Sequence, residues 1–282
     1  VSTQMSNLSL GSNAKCIGVI EDDGADKIYW AVSSDLGSYI CEFSKNSGQA
    51  SVVLSDTRTE NVLGFDLAVF VDMAIINDIE NGKRFLFVTD NVSEPKYFEI
   101  ESAKLLEDSN FSLEDISLIK NSPLTAPSVE LLKTDNEEEN NIEDKFLSFA
   151  YRYIYEHGEI SALSPFSDFA FMAKDFRYDY NSGTNKSMLN EYNKANITFN
   201  TGSNNVKEIE IIVKESGSPT AYIVETIDKS IKEWSDNSDQ TFSFTNNKIY
   251  KAISNDQLLR LYDNVPLKAK TIEVIGNRVV FG

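Results

Sequence analysis

His157 is the only histidine in the chain, so a Ser-His-Asp relay would have to run through it. It lies in the run Glu156-His157-Gly158-Glu159, where Gly158 can take a positive φ. A tight turn is expected there, and an exposed turn is a poor mount for a rigid general base. A zinc site needs three or four His, Cys or acidic ligands. One histidine with two distant cysteines, Cys16 and Cys41, does not supply them. Asp and Glu number 44, yet no spacing selects a facing pair for glycoside hydrolysis. Asp22, Asp23 and Asp26 around Gly24 offer oxygens to Ca²⁺ but lack the full acidic loop ending in Glu. A hairpin turn is expected instead, and Asp236–Asp239 reads the same way. No glycine-rich phosphate cradle precedes a helix. Arg152 and Arg177 lie among tyrosines. Such a group either holds a sugar or nucleotide, or packs as a sheet face with arginine stems across it, and the second reading is preferred. No catalytic, cofactor-binding or metal site is therefore expected, and no enzyme activity.

The elements that would position these residues read as strands. Phe149–Phe169 forms the centre of the chain, as one β-hairpin. Tyr151, Tyr153 and Tyr155 alternate with Arg152, Ile154 and Glu156, so the aromatics share a face. Ile160 opens the return strand and Leu163-Ser164-Pro165-Phe166 ends it, because proline cannot donate to a ladder. Tyr (12) and Phe (17) are abundant, which favours strands. At 282 residues and 41% hydrophobic, the chain can bury the cores of one large or two ordinary domains.

A net charge of −18 repels nucleic acid and anionic membrane. No apolar run reaches the ~18–20 residues of a membrane span. Two cysteines make no disulfide framework. Each lies in a strand-like run, so buried free thiols are expected, in keeping with assembly in a reducing compartment. The chain opens on VSTQMSNLSL and stops within an apparent strand at Val279-Val280-Phe281-Gly282, which reads as a fragment of a longer protein.

Residues 1–13, polar and rich in Ser and Asn, read as a linker or an edge segment. Lys15–Ile20, Lys27–Val32, Ser38–Phe43 and Ala50–Leu54 read as a four-stranded meander with turns at Asp22–Asp26, Gly37 and Asn46-Ser47-Gly48. The pattern recurs 57 residues on: Ile28-Tyr29-Trp30-Ala31 aligns with Phe85-Leu86-Phe87-Val88, and Ile40-Cys41-Glu42-Phe43 with Tyr97-Phe98-Glu99-Ile100. A four-stranded repeat of this length is the signature of propeller blades. A short helical piece at Ser112–Ile116 ends this part. A new unit opens at Ala126, followed by an acidic loop (Thr134–Asn141), the hairpin, and a long polar loop (Arg177–Asn193). Strands at Ala195–Phe199, Val206–Lys214 and Ala221–Ile227 follow, then a loop and short strand across Trp234–Phe244. About seven short strands over this span suit an immunoglobulin-like sandwich. A polar helix or turn at Ser254–Tyr262 leads to a last hairpin, Thr271–Ile275 with Arg278–Phe281, hinged on Gly276-Asn277. The expected class is all-β: propeller-like blades over 1–125, an inserted fibronectin-III-like or immunoglobulin-like sandwich over 126–248, and a return to the propeller-like part over 249–282.

Four segments in this order carry a resemblance: FLFVTDNVSEPKYFEI (85–100), FAYRYIYEHGEISALSPFS (149–167), VKEIEIIVKESGSPTAYIVETI (206–227) and VPLKAKTIEVIGNRVVFG (265–282). Together they resemble large tail proteins of short-tailed bacteriophages, above all the tail-tip muzzle or nozzle proteins of crAss-like phages. The resemblance covers most of the chain from about residue 15. It implies a propeller-like body with β-sandwich insertions, several copies ringing the DNA exit channel, and no catalytic motif. It also implies a virion location after assembly in the host cytoplasm. The partners implied are further copies of the chain and other tail proteins, without sequence-specific nucleic-acid binding. Two other expectations stand beside it: a cell-surface or secreted glycan-binding adhesin, and a carbohydrate-active enzyme, which would need a cleft with two converging carboxylates.

Overall fold

The computed structural model describes residues 10–78, 81–107, 111–134, 140–172, 174–276 and 278–282. The expected linker falls largely outside them, as do most of the acidic loop and Asn277 of the last hinge. The described chain is all-β in character, built of antiparallel sheets with a few one-turn helices. It divides into two compact units. One runs to Ile119 and resumes at Asn264; the other is Lys120–Asp263.

The first unit begins with four strands in a plain meander: β1 (Lys15–Asp22), β2 (Lys27–Ser34), β3 (Gly37–Ser44) and β4 (Gln49–Asp56). A second sheet follows: β5 (Asp72–Asp78), β6 (Lys83–Thr89) and β7 (Lys96–Glu99). The 57-residue repeat matches β5, β6 and β7 to β1, β2 and β3, but the second copy has three strands, not four. The fourth is replaced because Glu99 caps a helical turn at Ile100–Ala103, its carboxylate accepting the N–H groups of Glu101 and Ser102. A second turn, Leu113–Ile116, packs beside it.

The two sheets enclose one apolar core. Tyr29, Ala31 and Ile40 from one sheet meet Met73, Leu86, Val88 and Phe98 from the other. Period-two alternation sends Trp30, Val32, Tyr39 and Cys41 to the opposite face, where Leu10 covers them. Burial pushes the Cys41 thiol up to about 12. Cys16, expected to be buried, is exposed. A bulge between Cys16 and Gly18 shifts the register there, and Gly18 lies against the Val71 carbonyl, where a Cβ would approach its oxygen to 2.1 Å.

The second unit holds two facing sheets. One has the order β15 (Asp239–Phe244), β12 (Lys194–Asn200), β8 (Ser128–Leu132). The other has the order β16 (Lys251–Ala252), β14 (Ala221–Asp228), β13 (Val206–Glu215), β9 (Leu147–Tyr155). A separate small hairpin, β10 (Tyr178–Asp179) with β11 (Thr184–Asn185), lies in the β9–β12 connection. Phe149, Tyr151, Ile197, Phe199, Ile211 and Phe244 fill the space between the sheets. Ile212 breaks the alternation of β13 because the outer face is covered too: it packs with Ala150, Ala221, Ile253 and Leu258. For the same reason residues 249–263, read from sequence as part of the return, group with this unit. Strand β16 pairs with β14, and Ile253 closes over the sheet. Only Asn255–Leu258 of the expected polar helix is helical.

The central hairpin is built differently from a two-strand ladder. Only Ile160 forms an ordinary bridge, to Ile154. Beyond it, Ser161, Ser164 and Ser167 donate their N–H groups to the carbonyls of Tyr153, Tyr151 and Phe149 at 2.9, 2.8 and 2.7 Å. Each serine Oγ accepts the N–H of that same strand residue at 3.0 Å. Each hydroxyl then donates to the carbonyl of the residue after it. A return segment with period three thus satisfies a strand with period two, and Pro165 falls between serines where no donor is needed. Replacing Ser164 with alanine leaves the buried Tyr151 N–H without its acceptor. The expected loss is about 2 kcal/mol in urea unfolding; a loss under about 0.5 kcal/mol would contradict the role of the hydroxyl.

After Asn264 the chain rejoins the first unit as β17 (Ile272–Ile275) and β18 (Arg278–Phe281). This hairpin covers the outer face of β5–β7, with Ile272 packed on Ala74, Phe87 and Tyr97. Three hydrogen bonds secure it: Ile272 N–H to Asp72 (3.0 Å), and Asn91 N–H (2.8 Å) and Thr89 Oγ1 (2.5 Å) to the Ala269 carbonyl.

Candidate interaction surface

The residues weighed for chemistry are engaged structurally or stand apart. His157 is exposed in its turn, its N–H donating to Glu159. Cys16 and Cys41 belong to the other unit. Asp22 is buried, pairs with Arg84 at 2.5 Å and accepts the Ala25 N–H, so its carboxylate serves the turn. Asp236 pairs with Lys229 at 2.5 Å, and Asp239 accepts from Asn200. Among the described residues no group of three or more His, Cys, Asp or Glu could hold a metal. Tyr151, Tyr153 and Tyr155 face the core between the sheets. Arg152 projects from the opposite face, where its Nε donates to Glu210 at 2.6 Å and its guanidinium also donates to Gln257 at 3.0 Å. It is 3% exposed, so it is closed to a ligand. Arg177 is elsewhere, on the surface.

The surface that stands out is the β9–β12 connection around Arg177, expected as a polar loop. Phe176, Tyr178 and Tyr180 alternate along the first limb of the β10–β11 hairpin and stack in sequence. Phe176 and Tyr178 have ring centroids 6.3 Å apart, and Tyr178 and Tyr180 have theirs 5.0 Å apart edge to face. Their exposures are 75%, 46% and 90%. The period is that of Tyr151, Tyr153 and Tyr155, with the opposite fate: those rings are covered by a second sheet, and these by nothing among the described residues. The alternation in FRYDY was the available signal, hidden by the polar residues around it.

The hairpin is held in shape by its own polar groups. Asn185 Oδ1 accepts the N–H groups of Arg177 and Ser187. Gly183 takes φ 69° at the tip. Lys186 pairs with Asp179 at 2.8 Å and, with the Asn181 N–H, holds that carboxyl down to about 2. At the base, Asn193 exchanges two hydrogen bonds with the Thr134 backbone, and Asn190 is buried, bonded through its backbone to Glu143 and Asn140. Lys174 pairs with Glu191. A fixed, exposed aromatic stack can bury apolar area against a partner or present ring faces to a sugar.

A second surface lies on the same unit. Residues 225–228 of β14 and 241–243 of β15 flank a groove of about 470 Å³ floored by Trp234 and Phe242, with Ile231 standing 78% exposed at its lip. Its charged residues are Glu225, Asp228 and Lys232, and Glu225 pairs with Lys248 at 3.1 Å. The sheet orders put β8 and β9 at one edge and β15 with β14 toward the other. No helix of the described chain is long and apolar enough to cross a membrane. No family model matches this chain, and no match to it is found among curated proteins or solved structures.

Proposed function

We propose that this chain is a structural component of a bacteriophage tail, of the muzzle or nozzle kind, forming an oligomeric ring around the DNA exit channel. The observation that carries the reading is the order of the layers. A meander, a related three-stranded meander and a final hairpin stack face to face, and a separate two-sheet unit is inserted between Ile119 and Asn264. We read these layers as propeller-like blades interrupted by a fibronectin-III-like sandwich, the plan implied by the four resembling segments. The hydrogen bonds that return β17 to β5 keep the blade stack continuous across the insertion. The charge of −18 suits a channel that DNA slides past without sticking.

Mass spectrometry of purified particles with immunogold labelling tests it. The chain is expected in the virion, with gold at the tail tip; its absence from every particle fraction contradicts the reading. The exposed stack of Phe176, Tyr178 and Tyr180 favours one second reading, a glycan-binding surface protein.

A further inference from the structure

We propose that Asn81-Gly82, in the turn from β5 to β6, is a self-modifying site at which the chain closes a succinimide and emerges as aspartate or isoaspartate. The chemistry is independent of the ring reading. Asn-Gly occurs once in the sequence. Gly82 brings no Cβ to crowd an attack by its nitrogen, and no heavy atom lies within 4 Å of where a Cβ would stand. Both residues are exposed. The Gly82 N–H makes no hydrogen bond among the described residues, so it is free to lose its proton. Gly82 sits at φ 66° beyond the last cross-strand pair, Asp78 with Lys83, and a glycine can leave that conformation without steric cost. The Asn81 side chain is held at the turn and not packed into the fold: its N–H and Nδ2 both donate to the Asp78 carboxylate, at 3.2 and 2.8 Å. Asn46 and Asn237 are also exposed and precede serines, but there the following N–H is engaged. Ser47 donates to Ser44 Oγ at 3.3 Å, and Ser238 to Thr201 Oγ1 at 2.9 Å. In the proposed step the Gly82 nitrogen bonds to Asn81 Cγ, the Cγ–Nδ2 bond breaks, and Nδ2 leaves as ammonia with the proton from Gly82. Water then opens the ring. Attack at Cγ gives aspartate; attack at the Asn81 main-chain carbonyl carbon gives isoaspartate, whose chain runs through Cβ and Cγ. Either product sets a second negative charge against Asp78 where an amide had donated.

The test is peptide mapping by mass spectrometry of the full-length protein, held folded at mildly alkaline pH and sampled over time. Isoaspartate is counted by methyl transfer from labelled S-adenosylmethionine with isoaspartyl methyltransferase. Asn81 is expected to gain one mass unit about tenfold faster than Asn46 or Asn237, and to yield two isomers. Gly82→Ala is expected to slow the conversion by about tenfold, because it puts a Cβ beside the attacking nitrogen. Asn81→Gln keeps the amide but would need a six-membered ring, and is expected to remove most of the methyl signal. A melting curve checks that both variants fold. An Asn81 that keeps its amide as long as Asn46 and Asn237 overturns the proposal. A methyl signal of wild-type size in Asn81→Gln also overturns it, and assigns the isoaspartate to another residue, such as Asp23, which precedes Gly24.

Discussion

Replacing Glu210 with leucine is expected to destabilise the second unit by about 4 kcal/mol, the largest effect of any single substitution considered. Glu210 and Arg152 stand directly opposite each other on β13 and β9, so their side chains leave the same face of the sheet. That face is covered by the segment carrying Ile253 and Leu258. The substitution leaves the Arg152 guanidinium in a nearly dry site with only the Gln257 side-chain oxygen as acceptor. An uncompensated buried charge is the costly outcome; the pair itself is not a large source of stability. Pairing Glu210→Leu with Arg152→Met is therefore expected to recover most of the loss. Urea unfolding followed by tryptophan fluorescence measures this, because Trp234 lies against the same core. A single variant within about 1 kcal/mol of wild type, or a double variant as unstable as the single, would contradict it.

The second large effect is expected at Asp56, the last residue of β4. Its Oδ1 accepts from Arg58 Nε at 2.8 Å, and its Oδ2 from the Val62 N–H at 2.6 Å, the Leu63 N–H at 3.3 Å and the Arg58 guanidinium at 3.0 Å. The carboxylate is fully buried, and the loop wound around it delivers Leu63 and Phe65 to the first unit's core. Asp56→Asn turns an NH₂ toward these donors. The expected cost is about 3 kcal/mol, discounted because Arg58 can reach water, and about a 10 °C fall in the melting temperature of that unit. Burial by itself raises the Asp56 pKa, but Arg58 and the backbone N–H groups outweigh it and hold the carboxyl below the ordinary aspartate value. With the folded pKa below the unfolded one, the stability is present above about pH 4 and is lost as pH falls through the folded value. Glu42 acts in the same direction. Its burial is outweighed by Lys104 at 2.8 Å and Lys27 at 3.0 Å. Asp56→Asn is therefore expected to flatten part of the acid limb of the stability curve. An unchanged acid limb would contradict the assignment.

Much of the strand framework was legible because alternation and turn residues act locally. Lys27–Val32 is a short apolar run rich in β-formers after the Asp22–Asp26 turn, Val206–Lys214 alternates at Ile209, Ile211 and Val213, and each forms a strand. What depends on distant partners was not legible. The fourth strand of the second meander gives way to a helical turn because of how one side chain, Glu99, caps it. Tyr151–Tyr155 and Phe176–Tyr180 have the same spacing, yet one set is core and the other surface, since only the presence of a facing sheet separates them. The Ser161, Ser164, Ser167 spacing was in view, but its meaning needs the β9 backbone alongside. Asp56 is one aspartate among many in an acidic chain, distinguished only by the donors that folding brings to it.

The most direct test of the central claim is cryo-electron microscopy of the full-length protein in its native particle. A ring of symmetric copies around a narrow channel, with acidic residues gathered toward the axis, is the expected result. A monomer absent from any particle, or a ring whose acid is spread evenly over its outer surface, would contradict the account: the first removes the tail assignment, the second the acidic channel lining.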